Sequence, residues 1–265
     1  MTERFLRYKD SSLHYTSMGS GAKVLLIFHG FGQDHKVFRS LTESLSGIYT
    51  IYLFDLYFHG KSEWGYGEAP LEKEHWQETV QQFLTENSIE KFCLAGFSLG
   101  AKFVLATLES FPIKTEEVFL LAPDGIKTSF WYSLATYPVV FRKIFKSMIR
   151  HHGRFMAIVN GLNFLGLMDK GLIRFAAHQM NTEEKRSRVY YSWVVFRRLD
   201  SNLERIAAMI NTHKIPVTLI TGKYDKVIKS ENMEGLVKRL NTCRTIIAES
   251  GHNGLIEASI PFLMS

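Results

Sequence analysis

The segment Gly96-Phe97-Ser98-Leu99-Gly100 constrains the fold of this 265-residue chain more than any other stretch. It fits the pattern G-x-S-x-G, follows an apolar run over 92–95 and precedes a run with helical spacing over 101–109. A strand that turns sharply into a helix leaves the serine side chain exposed, and glycines on both sides avoid collisions with the neighbouring elements. The pattern predicts a nucleophile elbow with Ser98 as the nucleophile. An ordinary strand–helix turn is the alternative, so the interpretation depends on partners elsewhere.

Apolar runs along the chain predict a parallel α/β sheet. They lie at 13–17, 24–28, 49–54, 92–95, 117–121, 217–222 and 245–247. Most of them lack polar alternation, which suits strands covered on both faces. Because helical segments alternate with these runs, we expect a mostly parallel central sheet flanked by helices, with right-handed crossovers.

One long segment, residues 127–211, interrupts this alternation. It has helical periodicity, many aromatic residues and no clear apolar strand. We interpret it as a helical cap inserted over the carboxyl edge of the sheet. The predicted domains are therefore the first part of the core at 1–126, the cap at 127–211 and the second part of the core at 212–265. Most aromatic residues of the cap are expected to pack rather than to bind a ligand.

The net charge of +6 is unevenly distributed. Residues 126–215 carry 15 basic and 5 acidic side chains, whereas the remainder carries 17 and 21. Such a basic surface attracts acidic substrates, anionic lipids or nucleic acids. No nucleic-acid-binding motif is present, so we expect no nucleic-acid partner. Peripheral membrane contact through an amphipathic helix at 141–150 is one interpretation, and a solvated basic face on a packed helix is the simpler one.

Secretion and membrane insertion are not indicated by the sequence. No apolar signal region follows the N-terminal charges, and no apolar run is long enough to cross a bilayer. The two cysteines, Cys93 and Cys243, are too few for a disulfide framework. We therefore expect a cytoplasmic protein.

A serine nucleophile needs an adjacent base, and the base needs a carboxylate that orients it. Asp225 follows the apolar run at 217–222, and His252 follows the run at 245–247. Loops at the carboxyl ends of parallel strands share one edge of the sheet. We therefore predict that His252 is the base and Asp225 the orienting acid of Ser98.

A second candidate for the acid is Asp124, in the loop after the run at 117–121. Pro123 and Gly125 beside it favour the role of a turn residue. The expected order along the chain is serine, acid and histidine, and Asp225 fits the expected position of the acid better than Asp124 does.

The developing oxyanion requires two backbone N–H donors. Leu99 follows the nucleophile and supplies one by position, and Phe31 in the loop after 24–28 is the expected second donor. No His, Cys and Asp have metal-ligand spacing, and the glycines match neither a P-loop nor a dinucleotide fingerprint. We therefore expect a mechanism without a metal or another cofactor.

Four segments in sequence order resemble the motifs of the α/β-hydrolase superfamily. They are His29-Gly30-Phe31-Gly32, Gly96-Phe97-Ser98-Leu99-Gly100, Gly222-Lys223-Tyr224-Asp225 and Ser250-Gly251-His252. Residues 55–62 resemble the family's D-x-x-x-x-G-x-S loop, and residues 127–211 resemble its helical cap. The resemblance implies the α/β-hydrolase fold, a triad of Ser98, Asp225 and His252, and hydrolysis through an acyl-enzyme.

The expected activity is hydrolysis of a small-to-medium carboxylic ester or thioester. One alternative is hydrolysis of a carbon–carbon bond, or a lyase reaction, on the same three residues. Another is a non-catalytic protein of the same fold that binds a small ligand. The presence of all three triad groups argues against a pure binding role, because a receptor does not need them.

Overall fold

The computed structural model describes residues 2–126, 130–151, 153–154, 156–157, 161 and 180–264. The chain forms two compact units. The first comprises Met1–Tyr66, Glu72–Lys127 and Leu199–Ser265, and the second comprises Gly67–Leu71 and Thr128–Arg198.

An eight-stranded sheet forms the centre of the first unit, with the strand order β1-β2-β4-β3-β5-β6-β7-β8. The strands are β1 (Thr2–Tyr8), β2 (Ser11–Met18), β3 (Lys23–Phe28), β4 (Tyr49–Phe54), β5 (Phe92–Phe97), β6 (Thr115–Leu121), β7 (Val217–Gly222) and β8 (Arg244–Ala248). The β1–β2 and β2–β4 pairs are antiparallel, and the other pairs are parallel. The mostly parallel sheet predicted from the sequence is confirmed.

Strand β1 was not predicted, and its position explains why. It lies at the edge of the sheet, where most of its residues are exposed and only Leu6 is buried. An edge strand of this kind lacks the continuous apolar run that revealed the central strands. In contrast, every residue of β5 and of β7 is buried.

The described helices follow in chain order. They are α1 (Arg39–Leu45), α2 (Lys73–Glu86), α3 (Gly100–Ser110), α4 (Phe130–Thr136), α5 (Val139–Arg150), α6 (Glu183–Val195), α7 (Leu203–His213), α8 (Glu234–Val237) and α9 (Leu255–Leu263). Helices α4, α5 and α6 belong to the second unit, and the others belong to the first. No helix in the described ranges is long and apolar enough to cross a membrane.

The second unit is held together by aromatic and buried polar contacts. The ring of Phe145 on α5 lies 5.3 Å from that of Tyr190 and 5.7 Å from that of Trp193, both on α6. The buried Arg186 donates to the carbonyl oxygens of Ile149 (2.7 Å) and Met180 (3.0 Å). These contacts attach one face of α5 to α6.

The boundaries of the second unit differ from those predicted for the cap. The predicted segment ended at 211, whereas the compact unit ends at Arg198 and also contains Gly67–Leu71. Helix α7 belongs to the first unit because it buries Ile206 and Ile210 there, and Arg205 forms an ion pair with Glu109 at 3.4 Å. The function of the second unit as a cap stays a prediction.

Helix α3 approaches β3 so closely that only glycine fits at its first residue. A Cβ atom on Gly100 would lie 2.1 Å from the carbonyl oxygen of Phe28, which is backbone and cannot rotate away. Gly47 offers a matched comparison, since a Cβ there would meet nothing within 4 Å.

We expect Gly100→Ala to lower the free energy of unfolding by about 2 kcal/mol or more, because the helix must move off the strand. Gly47→Ala should leave it unchanged or slightly raise it, because alanine restricts the unfolded chain. Urea unfolding followed by circular dichroism measures both. Equal stability of the two variants would contradict the close packing of α3 on β3.

Candidate active site

Ser98 occupies the sharp turn between β5 and α3. Its φ of +50° lies in the left-handed region, which is unfavourable for a residue with a side chain. Ser98 N–H donates to the carbonyl oxygen of Leu121 at 2.9 Å, and its own carbonyl oxygen accepts from the N–H groups of Ala101 and Asp124, each at 3.0 Å. These hydrogen bonds hold the strained backbone, and the serine side chain remains partly exposed.

The turn also depends on Gly96. A Cβ atom there would lie 2.6 Å from a methyl group of Val104 and 2.8 Å from the backbone carbon of Gly100. The two glycines of the motif thus let strand and helix meet, which is the steric requirement that the sequence pattern predicted.

Asp225 and His252 lie together at the carboxyl ends of β7 and β8. His252 Nδ1 donates to Asp225 Oδ2 at 2.6 Å, and Asp225 Oδ1 accepts from the N–H groups of Val227 and Ile228, each at 2.8 Å. The Asp225 side chain is fully buried, and that of His252 is 12% exposed. Since Nδ1 carries the proton in a neutral ring that donates to a carboxylate, Nε2 is left as the acceptor that a base requires.

The environment of Asp225 favours its charged form. Burial by itself would raise the pKa of this carboxyl group, but the hydrogen bonds from His252, Ile228 and Val227 outweigh burial and hold the pKa below its ordinary value. An ionised carboxylate at neutral pH can both orient the imidazole and stabilise its protonated form.

The structure places His252 beside the elbow without a hydrogen bond to Ser98. The imidazole lies against the ring of Phe97, the residue before Ser98, with 4.9 Å between centroids. No hydrogen bond joins Ser98 Oγ to His252, although both residues lie in the described part of the chain. Catalytic hydrogen bonds are often long in ligand-free enzymes and shorten when substrate binds.

Two backbone N–H groups are candidate oxyanion donors: that of Phe31 in the loop that precedes α1, and that of Leu99 at the start of α3. Within the described residues, neither the Phe31 N–H nor the Leu99 N–H donates to a protein acceptor. The loop itself is fixed, because Gly30 N–H donates to the side-chain oxygen of Gln33 at 3.0 Å. His29 Nδ1 donates to the Gly30 carbonyl oxygen at 2.7 Å, and His29 Nε2 accepts from Leu56 N–H at 3.0 Å.

Asp124, the second candidate for the acid, makes a different contact from that of Asp225. Its carboxylate accepts from the N–H of the adjacent Gly125 at 2.8 Å. Its backbone N–H supports the Ser98 carbonyl oxygen, as described above. In this structure the carboxylate that contacts His252 belongs to Asp225.

Residues 23–259 match a family model described as alpha/beta hydrolase fold. The chain belongs to this family. Membership accounts for the mostly parallel sheet flanked by helices.

Individual relatives are distant from this α/β-hydrolase-fold protein. A pimeloyl-[acyl-carrier protein] methyl ester esterase of Pectobacterium atrosepticum is 25% identical over 42% of this chain and 41% of the relative. A second curated relative is matched over 30% of its length, so this chain aligns with less than half of either protein.

Solved structures resemble the whole chain at low identity. A thermophilic esterase from Thermogutta terrifontis is 14% identical, with a TM-score of 0.70 over 100% of this chain and 97% of that one. A thioesterase domain from the curacin biosynthetic pathway is 17% identical, with a TM-score of 0.65 over 100% and 99%. At these identities the similarity concerns the fold.

Sequence reasoning missed a set of contacts that joins the acid loop to the histidine loop. The carboxylate of Glu249 accepts from Lys223 Nζ at 2.6 Å and from the Tyr224 hydroxyl at 2.7 Å. Tyr224 N–H also donates to the carbonyl oxygen of Ser250 at 3.0 Å. The sequence does contain a signal for this contact, because it places the basic Lys223 two residues before Asp225 and the acidic Glu249 three residues before His252.

A second buried aspartate was also missed as a structural centre. Asp55 accepts from Nδ1 of His14 (2.8 Å) and of His35 (2.9 Å), and from the N–H groups of His35 (2.8 Å) and Lys61 (3.0 Å). Among the described residues, these three side chains form a group close enough to share a metal ion. Both imidazoles direct Nδ1 at the carboxylate, and these hydrogen bonds tie β2 and β4 to the segment before α1. The buried Nε2 of His14 makes no hydrogen bond within the described residues.

The ionised state of Asp225 leads to a prediction about stability and pH. We expect Asp225→Asn to lower the free energy of unfolding by about 2 kcal/mol at neutral pH, because it removes the negative charge that strengthens the hydrogen bonds made by this carboxylate. The difference should be fully present above the ordinary aspartate pKa of about 3.9 and disappear as the pH falls through the lowered pKa of the folded state.

Asp124→Asn is the matched control, since its side-chain oxygen can still accept from Gly125. Urea unfolding between neutral and acidic pH compares the two variants with the wild type. A loss in Asp225→Asn that grows on acidification, or an equal loss in Asp124→Asn, would show that Asp225 is not held as the carboxylate.

Proposed function

We propose that this protein is a serine hydrolase that cleaves a carboxylic ester or thioester through an acyl-enzyme. Ser98 is the nucleophile, His252 the general base and Asp225 the residue that orients it. The observation that carries the proposal is the 2.6 Å contact between His252 Nδ1 and a fully buried carboxylate, beside a serine on a strained turn.

The reaction follows from these positions. When substrate binds, His252 Nε2 removes the Ser98 proton and Ser98 Oγ attacks the carbonyl carbon, while the Phe31 and Leu99 N–H groups stabilise the oxyanion. The C–O or C–S bond then breaks, and His252 gives its proton to the leaving alcohol or thiol. Water, activated by the same imidazole, releases the acid and restores Ser98.

Ester or thioester chemistry has additional support in the relatives. One is named as a methyl ester esterase, and solved structures of the same fold are named as an esterase and a thioesterase domain. Both substrate types place an activated carbonyl carbon beside the serine, and they differ in the leaving group.

A non-catalytic binding protein of the same fold is the second candidate function. The observation that favours it is the missing hydrogen bond between Ser98 and His252. A serine that no base can reach does not react with an electrophile, so chemical labelling distinguishes the two candidates.

We expect a fluorophosphonate probe to label the wild-type chain and mass spectrometry to place the label on Ser98. Ser98→Ala should remove the label and lower kcat for p-nitrophenyl esters by about 10³-fold or more, because no other residue replaces the nucleophile. Ser250→Ala, a nearby serine outside the proposed triad, is the control that should still react. Labelling that persists in Ser98→Ala would contradict the assignment, and an unlabelled wild type would support the binding protein.

The choice of acid is tested in the same assay. Asp225→Asn should lower kcat by about 10³- to 10⁴-fold, because the imidazole loses the partner that sets its tautomer and stabilises its charge. Asp124→Asn should stay within a few fold of the wild type. The reverse ranking would assign the acid to Asp124.

A further inference from the structure

Helix α5 exposes a group of large apolar side chains that the proposed reaction does not use. Val139, Val140, Phe141 and Ile144 are 55%, 66%, 43% and 45% exposed. Tyr137, just before the helix, is 47% exposed, and its hydroxyl donates to the carbonyl oxygen of Arg197. A concentration of exposed apolar side chains in one short segment marks an interaction surface, whereas scattered apolar residues do not. We call these five residues the α5 patch.

The charged side chains of α5 indicate the charge that a binding partner should carry. The helix contains Arg142, Lys143, Lys146 and Arg150 and no acidic residue. Lys146 pairs with Glu68. Lys143 and Arg150 are exposed and have no acidic partner within the described residues. The helix therefore offers two positive charges beside the apolar patch, and its partner should carry negative charge.

Helical spacing arranges the two groups side by side. Val140 and Ile144 are four residues apart and share a face, and Lys143 and Arg150 are seven apart and share the neighbouring face. Lysine and arginine can extend their apolar stems along such a surface while their charged ends reach anionic groups. This pattern is typical of a helix that lies in the plane of a membrane interface.

The face of α5 that adjoins the patch is already occupied within its own unit. Phe145 and Met148 are buried, and Phe145 stacks against Tyr190 and Trp193. The helix is thus folded and held before any partner arrives, so binding does not have to order it. This reduces the entropy that a surface contact would otherwise cost.

A second copy of the chain fits the patch less well than a lipid surface. A two-fold contact would bring Lys143 and Arg150 of both copies together, which is unfavourable. Stable protein interfaces also use about 20–30 residues on each side, far more than the five residues of the α5 patch. We propose that the α5 patch binds the surface of an anionic lipid bilayer, with Val140, Phe141 and Ile144 inserted at the level of the headgroups.

The test is co-sedimentation of the 265-residue chain with vesicles, at low and high salt. We expect binding to vesicles of phosphatidylcholine with phosphatidylglycerol, and binding weaker by about tenfold or more to phosphatidylcholine alone or at high salt. Val140→Ser with Ile144→Ser should lower binding to the mixed vesicles by about tenfold, since less apolar area is inserted. Lys143→Gln with Arg150→Gln should remove the preference for anionic lipid.

Matched controls carry the same substitutions elsewhere on the surface. Ile113→Ser removes a side chain that is 78% exposed on the first unit, and Lys36→Gln with Lys91→Gln removes two exposed charges there. Both controls should bind vesicles like the wild type, and circular dichroism should show that all variants are folded. A wild type that stays in the supernatant with the mixed vesicles would overturn the proposal. Controls that lose as much binding as the α5 variants would also overturn it. So would light scattering that shows a dimer in the wild type and a monomer in the variant with Val140→Ser and Ile144→Ser.

Discussion

The close approach of helix α3 to strands β3 and β5 is the constraint on which the site depends. Gly100 lets the start of the helix touch the Phe28 carbonyl, and Gly96 lets the strand pass beneath the helix. With both contacts in place, the connecting residue must adopt a left-handed conformation, and Ser98 adopts it. A wider separation between helix and strand would relax the turn and withdraw the serine from the edge of the sheet.

Two buried aspartates show how the same pairing serves different purposes. Asp55 and Asp225 each accept from a histidine Nδ1 and from backbone N–H groups, and in each case these bonds outweigh burial and lower the pKa. His14 beside Asp55 is wholly buried, so its ring is not accessible from solvent. His252 beside Asp225 remains partly exposed. Accessibility, rather than the pairing itself, separates a structural contact from a candidate catalytic one.

The contacts that hold the second unit together differ from those of the sheet. Its helices are joined by aromatic rings and by the buried Arg186, and several large apolar side chains of α5 are exposed. In the first unit, large exposed apolar side chains such as Ile113 are far apart along the chain. The α5 patch differs because several exposed apolar side chains lie close together along one basic helix.

The sequence by itself determined the type of fold and the candidate nucleophile. Continuous apolar runs indicated the central parallel strands, and the G-x-S-x-G pattern indicated the elbow, because both signals are local along the chain. Asp225 and His252 could be proposed because each directly follows such a run. Edge strand β1 was not predicted because little of it is buried. The unit boundary near Arg198 was not predicted because α7 and the preceding helices have the same periodicity.

Only the tertiary structure decided which groups touch. It paired His252 with Asp225, used Asp124 in a turn, gathered His14, His35 and Asp55, and joined the two loops through Glu249. It also left Ser98 and His252 without a hydrogen bond. These outcomes depend on distances between residues far apart in the chain, and local patterns along a sequence carry no information about such distances.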